Sequence, residues 1–168
     1  MEKIEKRKLR RWSWILFIVY LLLLFYLLFF SVNYGRTTEY QGYRYNLELF
    51  KEIKRFWLNK ETLGWDSVLT NLAGNIVAFM PFGYCLAVLT KHGKNAILCG
   101  LGTGLFSLVV EVVQLVSRVG AFDVDDIFLN GIGGMLGCLA YFLVGRPVER
   151  FLGKEEKENT EEKARESL

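Results

Sequence analysis

Long uncharged runs alternate with short charged ones along this chain. Trp12 to Val32 is 21 residues without a charge, Ser67 to Thr90 is 24, and Ile127 to Gly145 is 19. Asn95 to Val110 adds 16, and the apolar character continues past Glu111 to Ser117. A helix needs roughly 20 apolar residues to cross about 30 Å of hydrocarbon. Four such runs in 168 residues predict an all-α polytopic membrane protein, with spans at about 12–32, 67–90, 95–117 and 127–145. A soluble bundle is disfavoured, because its helices would need polar faces that these runs lack. The first run follows the basic stretch "KRKLRR", as a signal peptide would. It is longer than the roughly 7–15 residues of an h-region, and no A-x-A-like site follows, so a retained anchor is expected.

Basic residues set the expected orientation. Fourteen Lys and Arg lie before the first span, between spans two and three, and after span four; seven lie on the other side. The richer side is expected to be cytoplasmic. Both termini are then inside: a basic N-terminus at 1–11 and a charged tail at 146–168. Residues 33–66 form the outer loop, and the tail has little to bury beyond Phe151 and Leu152.

The outer loop carries a helical pattern. In "NLELFKEIKRFWL", Leu49, Phe50, Ile53, Phe56 and Trp57 recur at helical spacing, with Lys51, Glu52, Lys54 and Arg55 between them. This predicts an amphipathic helix lying in the membrane interface. The alternative is a short helix packed on the ends of the bundle. Asn46 is the expected N-cap, with Glu48 in the first turn. Trp12 and Trp14 are placed to anchor the first span at the inner interface. Pro81 should kink the second span, and "KHGKN" is an inner turn. Gly100 and Gly104 in span three, and Gly133 and Gly137 in span four, sit four apart, a spacing that lets helix backbones approach. Cys85, Cys99 and Cys138 all lie within spans and read as small packing residues. No spacing points to a bound metal or cofactor, and nothing suggests nucleic acid.

Polar residues inside spans are costly and need partners or a task. Asn71 and Asn75 share one face of span two. Ser107, Glu111, Gln114 and Arg118 share one face of span three. Asp126 and Asn130 share one face of span four, with Asp125 beside them at its start. Span two begins outside, span three ends there, and span four begins there. The three stripes therefore converge on the outer leaflet, while the inner halves are almost purely apolar. The expectation is one polar recess rimmed by Asp123, Asp125 and Asp126. Arg118, two turns above Glu111, is placed to bend toward it. The competing reading is that the amides only join helices by hydrogen bonds and Asp126 is only a cap.

The stretches "TNLAGNIVAFMPFGYCL" and "SLVVEVVQLVSRVGAFDVDDIFLNGIGGMLG" together resemble the VanZ-like family. The shared pattern is N-x3-N-x3-F-x-P-x-G, then S-x3-E-x2-Q-x3-R, then D-D-x3-N-x2-G-x3-G. It falls on Asn71, Asn75, Phe79, Pro81 and Gly83; on Ser107, Glu111, Gln114 and Arg118; and on Asp125, Asp126, Asn130, Gly133 and Gly137. In the loop, "NLELF" resembles the family's N-L-x-P-F, with Leu49 in place of the proline. The resemblance implies a small multi-pass protein of the bacterial cytoplasmic membrane. It also implies a link to teicoplanin resistance, the association of the protein for which the family is named. It supplies no mechanism.

Three functions fit these residues. The leading one is a non-enzymatic binder whose recess takes the headgroup of a membrane lipid or lipid-linked cell-wall precursor, or a glycopeptide antibiotic. The second is an intramembrane enzyme acting on a lipid headgroup, with Glu111 and Asp125 or Asp126 as acid and base and Arg118 holding a phosphate. No nucleophile motif accompanies that set. The third is a small transporter, or a partner subunit of a membrane complex or homo-oligomer assembled through the glycine pairs; four helices are few for a transporter unless the chain oligomerises, and no inverted repeat is visible.

Overall fold

A computed structural model describes residues 2–30, 42–90 and 95–147, with the side chains of the first helix described at 11 and from 14 onward. The Trp12 side chain, Ser31 to Gln41, the inner turn at 91–94 and the tail at 148–168 lie outside the described residues. Helix α1 covers Glu2–Phe30, α2 Lys51–Leu58, α3 Lys60–Leu63, α4 Trp65–Leu89, α5 Ala96–Ser117 and α6 Val124–Ala140, which continues as a π-helical turn at Tyr141–Gly145. Among the described residues, three helices are long and apolar enough to cross a membrane: α4, α5 and α6 with its extension. Within α1 the apolar stretch is shorter, Trp14–Phe30. The chain is an all-α polytopic membrane protein. Among the described residues, two two-residue strands, β1 at Tyr45–Asn46 and β2 at Phe122–Asp123, pair in parallel.

Helix α6 is the centre of the bundle. It packs along both α4 and α5, which touch each other far less. Between membrane helices there is no hydrophobic drive, because lipid tails are as apolar as leucine. Attraction comes from close van der Waals packing, and small residues permit it. A Cβ at Gly133 would overlap the Ile76 carbonyl of α4, and one at Gly137 would overlap the Met80 carbonyl. On the other face, a Cβ at Gly134 would overlap the Thr103 hydroxyl of α5. Glycine therefore serves two neighbours at once. Gly83 of α4 answers with a matching approach to the Gly134 backbone. The pair on α5 divides: a Cβ at Gly100 would meet Met135, whereas one at Gly104 would meet only Ile127 at 3.9 Å.

Helix α1 is held by two side-chain-to-backbone hydrogen bonds. The Tyr20 hydroxyl donates to the Ala78 carbonyl at 2.7 Å, and the Gln114 amide donates to the Leu28 carbonyl at 2.8 Å. Most of its other large apolar side chains, such as Leu16, Ile18, Leu22 and Leu23, are exposed on the protein and suit contact with lipid. Helix α4 continues as one helix through Pro81. At the end where α4 finishes and α5 begins, Ala87, Cys99 and Cys138 form a small buried apolar cluster.

The glycine geometry sets opposite expectations for two single changes. Gly137→Ala should lower the thermal stability of purified protein by about 1–3 kcal/mol, because α4 and α6 must separate. Gly104→Ala should be neutral or stabilising by up to about 1 kcal/mol, because the site has room and alanine favours helix.

Candidate functional site

The recess lies at the end of the bundle where α4 begins, α5 ends and α6 begins. It is a cavity of about 230 Å³. Its polar lining joins Asn71 and Asn75 of α4, Glu111 of α5, and Asp125, Asp126 and Asn130 of α6. Each of the three stripes thus contributes at least one residue to the same lining.

The walls are built in layers, each one helical turn below the last. Four residues of helix rise roughly 6 Å, so Asn130 lies about that far below Asp126, and Ser107 about that far below Glu111. At the floor, the Asn130 amide donates to the Ser107 hydroxyl at 2.8 Å, joining α6 to α5. In the middle layer, the Asn75 amide donates to an Asp126 carboxylate oxygen, joining α4 to α6. Also in that layer, Glu111 Oε2 accepts the Asp123 N–H at 2.9 Å. Glu111 therefore fixes the backbone that enters α6. Asn71 donates back to the Ser67 carbonyl on its own helix.

The roof comes from the loop. Strand β1 pairs with β2 in the register Tyr45↔Phe122 and Asn46↔Asp123, and the Phe122 N–H donates to the Arg44 carbonyl at 3.0 Å. Asn46 adds a side-chain bond, donating to Asp123 Oδ1 at 3.0 Å. Helix α2 then crosses the mouth. Its starting residue, Phe50, sits in the left-handed region at φ 68°, which costs a non-glycine residue about 1–2 kcal/mol. That bend turns successive backbone N–H groups toward one point, a concavity suited to an anion. Asp125 fills it. Its Oδ1 accepts from the Phe50 N–H, and its Oδ2 accepts from Glu52 at 2.8 Å and Ile53 at 3.1 Å. The Phe50 ring packs edge-on against Phe128 with centroids 5.3 Å apart, which helps offset the strained backbone.

These contacts correct the expected cap. Asn46 lies upstream of α2 and accepts the Glu48 N–H in a local turn instead. The helix begins five residues later, at Lys51, and is capped from α6 by Asp125. Helix α2 is thus docked on the bundle end through Ile53 and Phe56, which line the recess. Trp57 and Leu58 stay exposed.

Three expected residues fall outside the lining: Ser107, which lies behind Asn130 as its hydrogen-bond acceptor, Gln114 and Arg118. Gln114 is fully buried but turns to α1 rather than into the recess. Arg118 ends α5 in a left-handed conformation at φ 58°, and its guanidinium lies over the Tyr43 ring at 4.9 Å. It is exposed and absent from the lining, so it does not reach down beside Glu111 as its spacing suggested. The recess gains charged residues that the polar stripes did not include: Arg44, Glu52 and Arg55. Arg55 pairs with Glu52 on α2. Asp123, one of the aspartates expected at the rim, lines the recess and also caps α6, accepting the Asp125 N–H at 2.9 Å. The two arginines flank "NLELF" in the outer loop, whose path over the bundle the sequence does not give.

A model of the VanZ/LLP1 family matches residues 17–145, which include every residue of the recess. The chain belongs to the VanZ/LLP1 family. It is also similar to Protein VanZ of Enterococcus faecium, 28% identical over 131 residues, which cover 74% of this chain and 70% of that protein. No solved structure matches the chain. In this VanZ/LLP1 chain the matched segment runs from within α1 to the π-helical turn, so the recess and the helices that build it lie inside one family domain.

Burial pushes the Asp123 carboxyl above the ordinary carboxylate range, with Asp125 and Glu52 adding to the rise; hydrogen bonds from the Asp125 N–H and Asn46 act against it. A raised folded-state value means a stability contribution that is complete below the ordinary range and lost as pH rises through the raised value. Asp123→Asn keeps an acceptor for both hydrogen bonds and removes the charge. Thermal unfolding across mildly acidic to neutral pH should show the variant gaining on the wild type as pH rises.

Proposed function

We propose that this chain is a non-enzymatic binder in the bacterial cytoplasmic membrane that holds a small polar headgroup, from a lipid or a lipid-linked cell-wall precursor. Both termini face the cytoplasm in this reading, and the recess opens on the outer leaflet. Binding there lowers susceptibility to glycopeptides of the teicoplanin kind. The observation that carries the reading is the convergence of polar side chains from α4, α5 and α6 on one recess, in helices that are otherwise apolar. The excess of basic residues on the opposite side supports its outward direction.

Size favours a headgroup over a whole antibiotic. A cavity of about 230 Å³ falls below the roughly 300–1,000 Å³ usual for drug-sized ligands. Bonding favours a binder over an enzyme. Asp123, Asp125 and Glu111 each accept backbone N–H groups that hold the site together. A carboxylate so committed is a poor proton shuttle, because a general acid or base must present its oxygen to the substrate.

Expression in a glycopeptide-sensitive bacterium tests the proposal. The wild type should raise the inhibitory concentration of teicoplanin. Glu111→Gln should return it toward the vector control at unchanged protein level, since glutamine still accepts the Asp123 N–H but carries no charge. Equal protection by both proteins would contradict the role given to this recess.

A further inference from the structure

We infer that the headgroup this recess selects is a phosphate-linked primary amine, of the phosphoethanolamine kind, with its ammonium at the floor and its phosphate at the mouth. The inference rests on the headgroup reading above and adds a chemical class and a direction of entry.

The floor supplies the main observation. Asn130 is 3% exposed, and its amide nitrogen is used by Ser107. Its Oδ1 is buried with no hydrogen-bond partner among the described residues. A buried acceptor left unpaired costs about 1–3 kcal/mol. Asn130 lines the recess, and a donor seated at the floor beside its side chain would recover that loss. The ligand must therefore bring an N–H or O–H to the deepest layer.

Charge chooses between these. Glu111 and Asp126 stand one helical turn above the floor, and the carboxylates lining the recess outnumber the guanidiniums. A cation placed below that layer is attracted, whereas a neutral hydroxyl gains less. An ammonium carries three donors and no acceptor, which matches a floor that offers an acceptor. A quaternary amine has the same charge and no N–H, so it leaves Asn130 Oδ1 unpaired.

The loop side of the recess adds donors: Arg44 and Arg55 line it beside Glu52, Asp123 and Asp125, Arg55 on α2. A guanidinium has five N–H donors, so the Arg55 pairing with Glu52 leaves donors for a phosphate. The ligand then reads from the floor outward as donor-bearing cation followed by anion. The volume suits a headgroup of that length, while the acyl chains remain in the bilayer.

Purified full-length protein in neutral detergent, equilibrated with phosphatidylethanolamine, phosphatidylcholine or phosphatidylglycerol, provides the test. Native mass spectrometry reads the lipid retained. Phosphatidylethanolamine should be held about tenfold more tightly than phosphatidylcholine, the worth of one charge-assisted hydrogen bond. Asn130→Ser should erase that preference. Arg55→Gln, on an exposed residue where folding is not at stake, should weaken phosphatidylethanolamine and phosphatidylcholine together and leave their ratio unchanged. Equal retention of the two zwitterionic lipids, or preference for phosphatidylglycerol, would overturn the amine assignment while leaving a headgroup site standing. Retention of none of the three, with a lipid-linked cell-wall precursor held instead, would also overturn it. Retention of no lipid and no precursor would remove the headgroup reading itself.

Discussion

The Asp125 carboxylate collects three backbone N–H groups at the start of α2, and the rest of the site depends on that junction. Helix α2 has eight residues and buries none of them fully. So short a helix is marginal by itself. What holds it across the recess is a charge from another helix placed at its positive end, where an anion is favoured. Asp125 is 1% exposed, so the bonds form away from water, where charge-assisted hydrogen bonds are strongest. The paired strands β1 and β2 hold the same loop a few residues earlier. Asp123 accepts from Asn46 in the loop and caps α6 at the same time. The loop between α1 and α4 is therefore part of the site, which could not close without it.

The same economy of contacts shapes the bundle. Helix α6 carries the site at its start and the closest helix contacts along its middle. Its glycines bring α4 and α5 near enough for Asn75 to reach Asp126 and Asn130 to reach Ser107. Moving the helices apart would break the polar layers before it exposed much apolar surface. Packing and site are thus one problem for this sequence. The motif that joins D-D, Asn130 and the two glycines on a single helix reflects that coupling.

Much of this was legible in the residues. The three long apolar helices follow from uncharged runs, and the meeting of Asn75, Glu111 and Asn130 follows from helical period and the direction of each helix. Gly133 and Gly137 were readable as approach points for the same reason. The rest depended on contacts between segments far apart in the chain. Nothing local in "NLELF" says that its helix is capped by Asp125, 75 positions away from Phe50. Local propensity pointed to Asn46, a good capping residue that the fold uses in a turn and a cross-link instead. Arg118 shared the face of Glu111 by arithmetic, yet α5 ends there, and the left-handed turn sends its side chain over Tyr43. Gln114 lay on the same stripe, but the position of α1 made it a docking residue. Periodicity assigns a face within one helix, whereas the neighbour that face meets is set by tertiary packing.

The account therefore stands on α2 being latched over the recess by one carboxylate. Hydrogen–deuterium exchange of the full-length protein, resolved to the amides of Phe50, Glu52 and Ile53, tests this most directly. The wild type should protect all three, and Asp125→Ala should release them while the amides of α5 and the middle of α6 stay protected. Fast exchange at these amides in the wild type, or protection unchanged in the variant, would contradict it.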